Sequence, residues 1–274
     1  MKSFLVNEFD VPKGSTLDIR ELRNKQANRA NIIAEIRKLT DDPRIAMNDA
    51  ILIYYAGHGA TMPPPEGWPG YSPTPPTPEA WSKDVEIQCI VASDVVVSEK
   101  NRRHYVSGVV LDRTLSALLH DLADKHGSNI VRRTVDSSTF LVDSRLLSQT
   151  VILDCCHSGS GTRDSPQTVR SVDFRDPSGG RITVPSDYDR EIWSEFIGRG
   201  GVVADEYRHA GLASHVLLAA CGSKEVASDG YSFTSALLEY FKTASLRFLS
   251  YDVLIRTIDP NNRLSYVTEH LLKR

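Results

Sequence analysis

The sequence is poor in cysteine and has neither a long apolar run nor a block of charge of one sign. Its four cysteines are too few for a disulfide framework in a chain of 274 residues, and two of them, Cys155 and Cys156, are adjacent. This usage favours a reducing, cytoplasmic compartment, where a single thiol can remain reactive. No stretch reaches the roughly 18 apolar residues of a transmembrane helix, and the N-terminus lacks the pattern of a signal peptide.

The charge of the chain also argues against some partners. The formal net charge is −3, and no basic tail or acidic block stands out. A protein that binds nucleic acid or an anionic membrane surface usually carries a basic patch or stripe. We therefore expect neither nucleic acid nor a membrane among the partners, and nothing in the sequence indicates the oligomeric state.

Three short apolar runs are typical of strands that are buried on both faces of a parallel sheet. They cover residues 50–55, 150–153 and 215–220, and residues 87–92 are predicted to form a further strand. Amphipathic helices are predicted around them, because apolar residues recur at helical spacing. The helix ranges are 28–39, with Asn28 as the cap, 112–122, capped by Asp112, 234–242 and 251–257. This alternation predicts an α/β domain with a mostly parallel sheet flanked by helices.

Three other segments lack this pattern. Residues 61–82 hold eight of the fourteen prolines, which predicts a surface loop that frames a site or docks a partner. Residues 129–149 are polar and weakly periodic, as an insertion directly before a strand would be. Residues 160–210 are mostly polar and rich in turn-forming residues.

Two of the predicted strands end in residues that can carry out chemistry. The first is followed by Gly57-His58-Gly59, and the second by Asp154-Cys155-Cys156-His157. In an open α/β sheet the ligand crevice lies beyond the carboxyl ends of the strands, so these residues are expected at one site. A cysteine nucleophile needs a neighbouring imidazole to form its thiolate, and His58 can supply it. The backbone amides of Gly59 and Cys156 are the expected donors to an oxyanion.

Other interpretations of the same residues compete with this one. A histidine near a strand end is more often structural, and a buried cysteine more often acts as a small apolar residue. A serine hydrolase fits poorly, because no Gly-x-Ser-x-Gly turn precedes a helix. A zinc site at Cys155, Cys156 and His157 also fits poorly, because adjacent residues cannot close a tetrahedral shell.

The two motifs resemble the signature blocks of the caspase-like cysteine peptidases. Residues 54–59, Tyr-Tyr-Ala-Gly-His-Gly, are similar to the histidine block, and residues 154–159, Asp-Cys-Cys-His-Ser-Gly, to the cysteine block. The second block resembles the metacaspase branch, since animal caspases carry Gln-Ala-Cys there. The wider pattern, from about Phe4 to Leu254, is similar to the caspase-domain proteins of mushroom-forming fungi.

This resemblance implies a three-layer caspase-like fold and a cysteine-type endopeptidase. By position, His58 is the general base, Cys156 before His-Ser-Gly is the nucleophile, and Cys155 is a neighbour without a catalytic role. Asp154 matches the acidic residue of the first specificity pocket, which implies cleavage after Arg or Lys, because a carboxylate pairs well with a guanidinium. The alternative role of Asp154 is to cap the turn after its strand.

The resemblance also implies how a single domain over residues 1–274 is organised. A large-subunit part of about 1–160 is followed by a linker of about 160–210 and a small-subunit part of about 211–274. Protein or peptide substrates, a role in apoptosis and self-cleavage in the arginine-containing linker are implied in the same way. Calcium activates several metacaspases, but the acidic residues here are scattered, so neither a cofactor nor a metal site is assigned.

The chain departs from the family pattern at three points. It begins after the place of the family's first strand, which supplies a second acidic pocket residue, and it stops without the family's terminal strand, so truncation at both ends is expected. His58 and Cys156 are 98 positions apart, whereas the histidine of caspases lies about 50 residues before the cysteine. The alternative hypothesis is a catalytically impaired caspase-fold protein that acts as an interaction module.

Overall fold

The computed structural model describes residues 2, 18–47, 49–65, 68, 86–127, 149–155, 171–192, 216–220 and 233–243. Within these ranges the chain is a mixture of helices and strands, which confirms the predicted α/β class. A 3-10 turn at Asn24–Gln26 precedes the helices α1 (Arg29–Asp41), α2 (Asp112–His126) and α3 (Phe233–Thr243). The strands are β1 (Ile51–Ala56), β2 (His58–Met62), β3 (Ile87–Lys100), β4 (Arg103–Leu111), β5 (Gln149–Asp154), β6 (Ser171–Val172) and β7 (Val216–Ala219).

The three predicted apolar runs form a parallel sheet with the strand order β1-β5-β7. Strand β1 pairs with β5 from Ile51 opposite Gln149 to Ala56 opposite Asp154. Strand β5 lies in the centre, and all of its residues except Thr150 are buried. A strand that is buried on both faces is apolar almost throughout, which explains why β5 is recognisable in the sequence. Strand β1 differs from the prediction, because Leu52 and Ala56 are exposed and Ile53, Tyr54 and Tyr55 are only half-buried.

A second, four-stranded sheet is largely antiparallel, which differs from the single, mostly parallel sheet that the sequence predicts. Its order is β4-β3-β2-β6, and only β6 pairs in parallel, with β2. The sequence predicts the first part of β3, residues 87–92, and nothing of β4. Asn101 and Arg102 form the turn between them, with φ of 54° and 62°. Tight hairpin turns need positive φ at their central residues and usually carry glycine there. Because Arg102 stands in place of a glycine, the sequence does not indicate this hairpin.

A β-bulge interrupts the β3–β4 ladder. Val91 faces Val109 and Val96 faces Ser107, so the register shifts between these pairs. Gly108 lies beside the bulge with φ of +74°, and a Cβ atom there would be 2.5 Å from the carbonyl oxygen of Asp94. Glycine is required here by both its backbone conformation and the close approach of β3.

Helices lie on both faces of the parallel sheet. Helices α1 and α2 pack on one face, and the buried residues of this core include Ile33, Ile36, Leu118, Leu119, Leu122, Val151, Leu153 and Cys155. Each fully buried leucine or isoleucine stabilises the fold by about 1.5–3 kcal/mol. Helix α3 lies on the other face, because the hydroxyl groups of Tyr54 in β1 and Thr234 in α3 are hydrogen-bonded at 2.8 Å. Successive side chains of a strand point to opposite faces, so Tyr54 and Asp154 share the face of α3.

A second core lies along the antiparallel sheet and includes part of the predicted linker. Phe174, Ile182 and Val184 are buried there together with residues of β2, β3 and β4. They belong to residues 171–192, which lie inside the segment 160–210 that the resemblance assigns to a linker. The apolar residues alternate with polar ones, at Val172 and Phe174 and again at Ile182 and Val184. That period of two is the signal by which this strand-like segment could have been recognised.

An ion pair with a buried carboxylate connects this segment to α1. The guanidinium of Arg29 pairs with the carboxylate of Asp189, which is only 1% exposed at its side chain. The hydroxyl of Thr114 in α2 donates to the same carboxylate at 2.5 Å. The Arg29 guanidinium also lies 4.8 Å from the ring centre of Tyr188. Residues 171–192 are therefore held by charge as well as by apolar contact.

The predicted helices are confirmed within the described residues, with one change at a cap. Asn28 caps α1, because its side-chain oxygen accepts a hydrogen bond from the backbone N–H of Asn31 at 2.8 Å. Asp112 is the first residue of α2, and the cap is Leu111. A carboxylate in the first turn still lies at the helix end that favours negative charge.

Several predicted features lie outside the described residues. They are Cys156 and His157, the stretch 129–148, most of the proline-rich segment and the helix at 251–257. None of the helices in the described ranges combines the length and the apolar character needed to cross a membrane.

Candidate active site

The register of the parallel sheet relates the two motifs. Every pair of facing residues in β1 and β5 differs by 98 positions, from Ile51 and Gln149 to Ala56 and Asp154. The same 98 positions separate His58 from Cys156. Each of the two residues therefore follows the last facing pair by two positions, and that pair lies at the carboxyl edge, where ligands bind in open α/β sheets. Cys156 itself lies outside the described residues, so its pairing with His58 stays a prediction.

The chain changes sheets at Gly57, directly before His58. Strand β1 ends at Ala56 in the parallel sheet, and β2 begins at His58 in the antiparallel sheet. The N–H of Gly57 donates a long hydrogen bond of 3.4 Å to the carbonyl of Asp154. A Cβ atom at Gly57 would lie 2.5 Å from the Tyr55 hydroxyl oxygen, so a glycine is needed for this close approach. His58 is exposed at the junction, as a group that meets a substrate must be.

Tyr55 holds the backbone on both sides of this junction. Its hydroxyl oxygen lies 2.8 Å from the carbonyl oxygen of His58 and 2.9 Å from that of Val91. His58 and Val91 face each other as the first pair of the β2–β3 ladder. Burial, and to a lesser degree the nearby thiol of Cys155, raises the pKa of Tyr55 well above its ordinary value. The hydroxyl therefore stays protonated and remains a donor.

Asp154 is held at the end of β5 by two hydroxyl groups in series. The carboxylate is almost fully buried and accepts a hydrogen bond of 2.5 Å from the hydroxyl of Thr234. Since Thr234 gives its one hydrogen to Asp154, Tyr54 is the donor in the 2.8 Å contact between the two hydroxyls. Thr234 is the second residue of α3, and the N-terminus of a helix favours a negative charge. The carboxylate is thus tied to α3 on the face of the sheet that Tyr54 occupies.

The thiol of Cys155 lies in the apolar core and not at the edge of the sheet. It is 0% exposed and packs with residues of α1, α2 and β1. A fully buried thiol cannot meet a peptide carbonyl. Cys89 is a second buried thiol, 3.6 Å from the carbonyl oxygen of Ala60, and burial raises its pKa. Neither of these cysteines has the environment of a nucleophile.

Gly59 is placed inside β2, between two other strands. It faces Ile90 of β3 on one side and Ser171 of β6 on the other, and it is buried. Its position next to the exposed His58 is the one predicted, but its role as an oxyanion donor also depends on Cys156 and stays a prediction. Within the described ranges, no group of three or more His, Cys, Asp or Glu residues is arranged to hold a metal ion.

Three hydroxyl-bearing residues of this site were missed in the sequence. In the sequence, Tyr54 and Tyr55 count as apolar strand positions and as part of the histidine block, with no role for their hydroxyl groups, and Thr234 counts only as the start of a helix. The available signal is chemical, because a buried tyrosine usually needs a hydrogen-bond partner for its hydroxyl. Two adjacent tyrosines in an apolar strand therefore indicate polar partners on both faces of the sheet.

No family model matches the chain, and no curated protein matches its sequence. The caspase-like interpretation rests on the two motifs and on the geometry described above.

Proposed function

We propose that this chain is a cysteine endopeptidase of the caspase-like type, with Cys156 as the nucleophile and His58 as its base. The observation that carries the proposal is the constant offset of 98 residues between β1 and β5, which equals the separation of His58 and Cys156. A chance pair of histidine and cysteine would have no reason to share the register of neighbouring strands. The three-layer arrangement, with helices on both faces of the parallel sheet, agrees with the caspase-like fold that we propose.

The proposed reaction is acyl transfer through a thioester. His58 takes the thiol proton of Cys156, and the thiolate attacks the carbonyl carbon of the scissile bond. The amides of Gly59 and Cys156 donate to the oxyanion that forms. As the C–N bond breaks, His58 gives its proton to the departing amine and leaves a thioester. A water molecule, deprotonated by His58, then hydrolyses the thioester, releases the acid product and restores the thiol.

Asp154 is the residue that we propose for substrate preference. Its carboxylate lies two positions before Cys156 and, in the free chain, is 2% exposed and accepts a hydrogen bond from Thr234. Contact with a substrate therefore requires that a cationic side chain displace part of this cover. A carboxylate near the cleavage site favours a cationic side chain before the scissile bond, which is Arg or Lys. The contact with Thr234 also ties β5 to α3, so this residue serves the fold whether or not a substrate is bound.

Peptide hydrolysis is the direct test of the peptidase. The purified chain is incubated with fluorogenic peptides that differ only in the residue before the scissile bond, Arg, Lys, Asp or Leu, with and without calcium. We expect turnover that prefers Arg and Lys and is abolished by Cys156→Ala. The matched control is Cys155→Ala, which removes the adjacent thiol from the core and keeps the proposed nucleophile.

Active-site labelling gives a second, independent measure. A peptide ending in an arginyl thiol-directed electrophile is expected to modify Cys156 once per chain in the parent and in the Cys155→Ala variant. If the folded parent shows no turnover and no labelling, the peptidase proposal is contradicted and the interaction module is favoured. Equal turnover in the Cys156→Ala variant would contradict the assignment of the nucleophile.

A further inference from the structure

We infer that Tyr55 is the positioning residue of His58, and that it acts through the backbone by bridging the carbonyl groups of His58 and Val91. The inference rests on the proposed function in so far as His58 is the base of the peptidase. It adds a residue to the site that touches neither the substrate nor the reacting atoms.

His58 lies beyond the end of the parallel ladder and at the end of the antiparallel one, so neither sheet alone fixes its backbone firmly. The last facing pair of the parallel sheet is Ala56 with Asp154, two residues before it. The ladder between β2 and β3 starts at His58 with Val91, so His58 is also a terminal position of the antiparallel sheet. Backbone at the end of a ladder opens more easily than backbone in its middle. A base placed there needs a further contact if its imidazole is to keep one position.

The hydroxyl of Tyr55 supplies that contact. It lies 2.8 Å from the His58 carbonyl and 2.9 Å from the Val91 carbonyl, so one O–H group is shared between the two strands that meet there. The ring reaches this place by passing over Gly57, where any side chain would collide with it at 2.5 Å. Tyr55, Gly57 and His58 therefore act together. Gly57 has no side chain and leaves room for the Tyr55 ring, and the Tyr55 hydroxyl donates to the backbone carbonyl of His58.

The expected consequence is a change in turnover and not in substrate binding. A base displaced by about 1 Å loses much of its effect on rate, on the order of 100-fold in unfavourable cases. We expect Tyr55→Phe, which keeps the ring and removes the hydroxyl, to lower kcat by about tenfold, with KM within about twofold of the parent.

A matched variant separates positioning from simple loss of a buried hydroxyl. Tyr188 is also half-buried, and its hydroxyl also has two backbone contacts, donating to the carbonyl of Val109 at 3.0 Å and accepting from its N–H at 3.3 Å. Tyr188→Phe should therefore lower the melting temperature about as much as Tyr55→Phe does. It should leave kcat and the state of His58 unchanged, because the hydrogen bonds of the Tyr188 hydroxyl go to Val109 and not to His58.

The test combines the two variants with a direct observation of the imidazole. Ring signals of the eight histidines are recorded by NMR in the parent and in both Tyr→Phe variants, and His58→Gln identifies the signal of His58. We expect the His58 signal to shift or broaden in Tyr55→Phe and to stay unchanged in Tyr188→Phe. Gly57→Ala, which would push the Tyr55 hydroxyl away from its partners, should act in the same direction and covers the case that Tyr55→Phe does not fold.

The outcomes are distinguishable from those of the peptidase test. An unchanged His58 signal and unchanged kcat in folded Tyr55→Phe would overturn the inference, even if the parent is an active peptidase. A His58 signal that moves only in Tyr55→Phe and in Gly57→Ala would support it, even if the parent cleaves no peptide and the proposed function fails. Equal effects of Tyr55→Phe and Tyr188→Phe on the His58 signal would reduce Tyr55 to a residue of the fold and overturn the inference as well.

Discussion

Ala56 of β1 and Asp154 of β5 face each other as the last pair of the parallel ladder, and each is followed two positions later by one residue of the proposed dyad. Beyond this pair the chain of β1 passes Gly57 and enters the antiparallel sheet. The edge at which chemistry is expected is thus also the place where the two sheets join. Changes on either side of it should affect the site in different ways.

Removal of the Asp154 carboxylate should affect cleavage after basic residues more than cleavage after neutral ones. We expect Asp154→Asn to lower kcat/KM for an Arg peptide by about 10- to 100-fold, since a hydrogen-bonded ionic contact contributes about 1.5–3 kcal/mol. The measurement compares Arg and Leu peptides with the same enzyme preparation. Equal losses for both peptides would show that Asp154 serves the fold and not the choice of substrate.

Thr234 should carry the link between Asp154 and α3. Thr234→Val removes the donor to a buried carboxylate and keeps the shape of the side chain, so we expect a loss of about 1.5–3 kcal/mol in the free energy of unfolding. Thr234→Ser keeps the hydroxyl and is the matched control, for which a smaller loss is expected. Urea denaturation measures both, and equal losses would contradict a stabilising role of the hydrogen bond to Asp154.

The ion pair of Arg29 and Asp189 should be strongly coupled. Arg29→Met leaves the Asp189 carboxylate buried without its cation, so we expect a loss of about 3–5 kcal/mol in the free energy of unfolding. Adding Asp189→Asn to Arg29→Met removes the unpaired negative charge of Asp189. Asparagine also tolerates the positive φ of 58° at this position. The double variant should recover part of the loss. Simple addition of the two single losses would argue against coupling between these residues.

Two glycines with positive φ allow strain and collision to be separated. Gly179 has φ of +87° and open space around the position that a Cβ atom would occupy, whereas at Gly108 a Cβ would meet the carbonyl of Asp94 at 2.5 Å. Gly179→Ala should cost about 1–2 kcal/mol from backbone strain alone. Gly108→Ala should cost roughly 1–3 kcal/mol more, from overpacking at the bulge. Thermal or urea unfolding gives the difference, and equal losses would contradict the bulge geometry.

Acid should remove a stabilising contribution at Asp42. The guanidinium groups of Arg44 and, to a lesser degree, Arg20 hold the pKa of this carboxyl well below its ordinary value. Because the folded-state pKa is the lower one, this stabilisation is present above the unfolded-state pKa of about 3.9 and is lost as the pH falls below it. The free energy of unfolding should therefore fall more steeply between about pH 5 and 2 in the parent than in Asp42→Asn. Asp41→Asn, at the exposed neighbour, is the control and should follow the parent.

The amino-acid sequence by itself determined the elements whose signals are local. The apolar runs of β1, β5 and β7, the amphipathic faces of α1, α2 and α3 and the cap at Asn28 all follow from residues within a few positions of one another. The two motifs, with His58 and Cys156 shortly after predicted strands, were visible in the same way. Local apolar patterns of this kind are visible without knowledge of the fold.

Only the tertiary structure decided which distant residues meet. The hydroxyl of Tyr54 contacts that of Thr234, 180 positions later, and Arg29 pairs with Asp189. Phe174, Ile182 and Val184 join the core of the antiparallel sheet. The hairpin of the second sheet has Arg102, and no glycine, at a turn position with positive φ, so the sequence does not indicate it. Such partners are set by how the sheets and helices pack. The sequence around a buried polar side chain shows that it needs a hydrogen-bond partner, but it does not show which distant group that partner is.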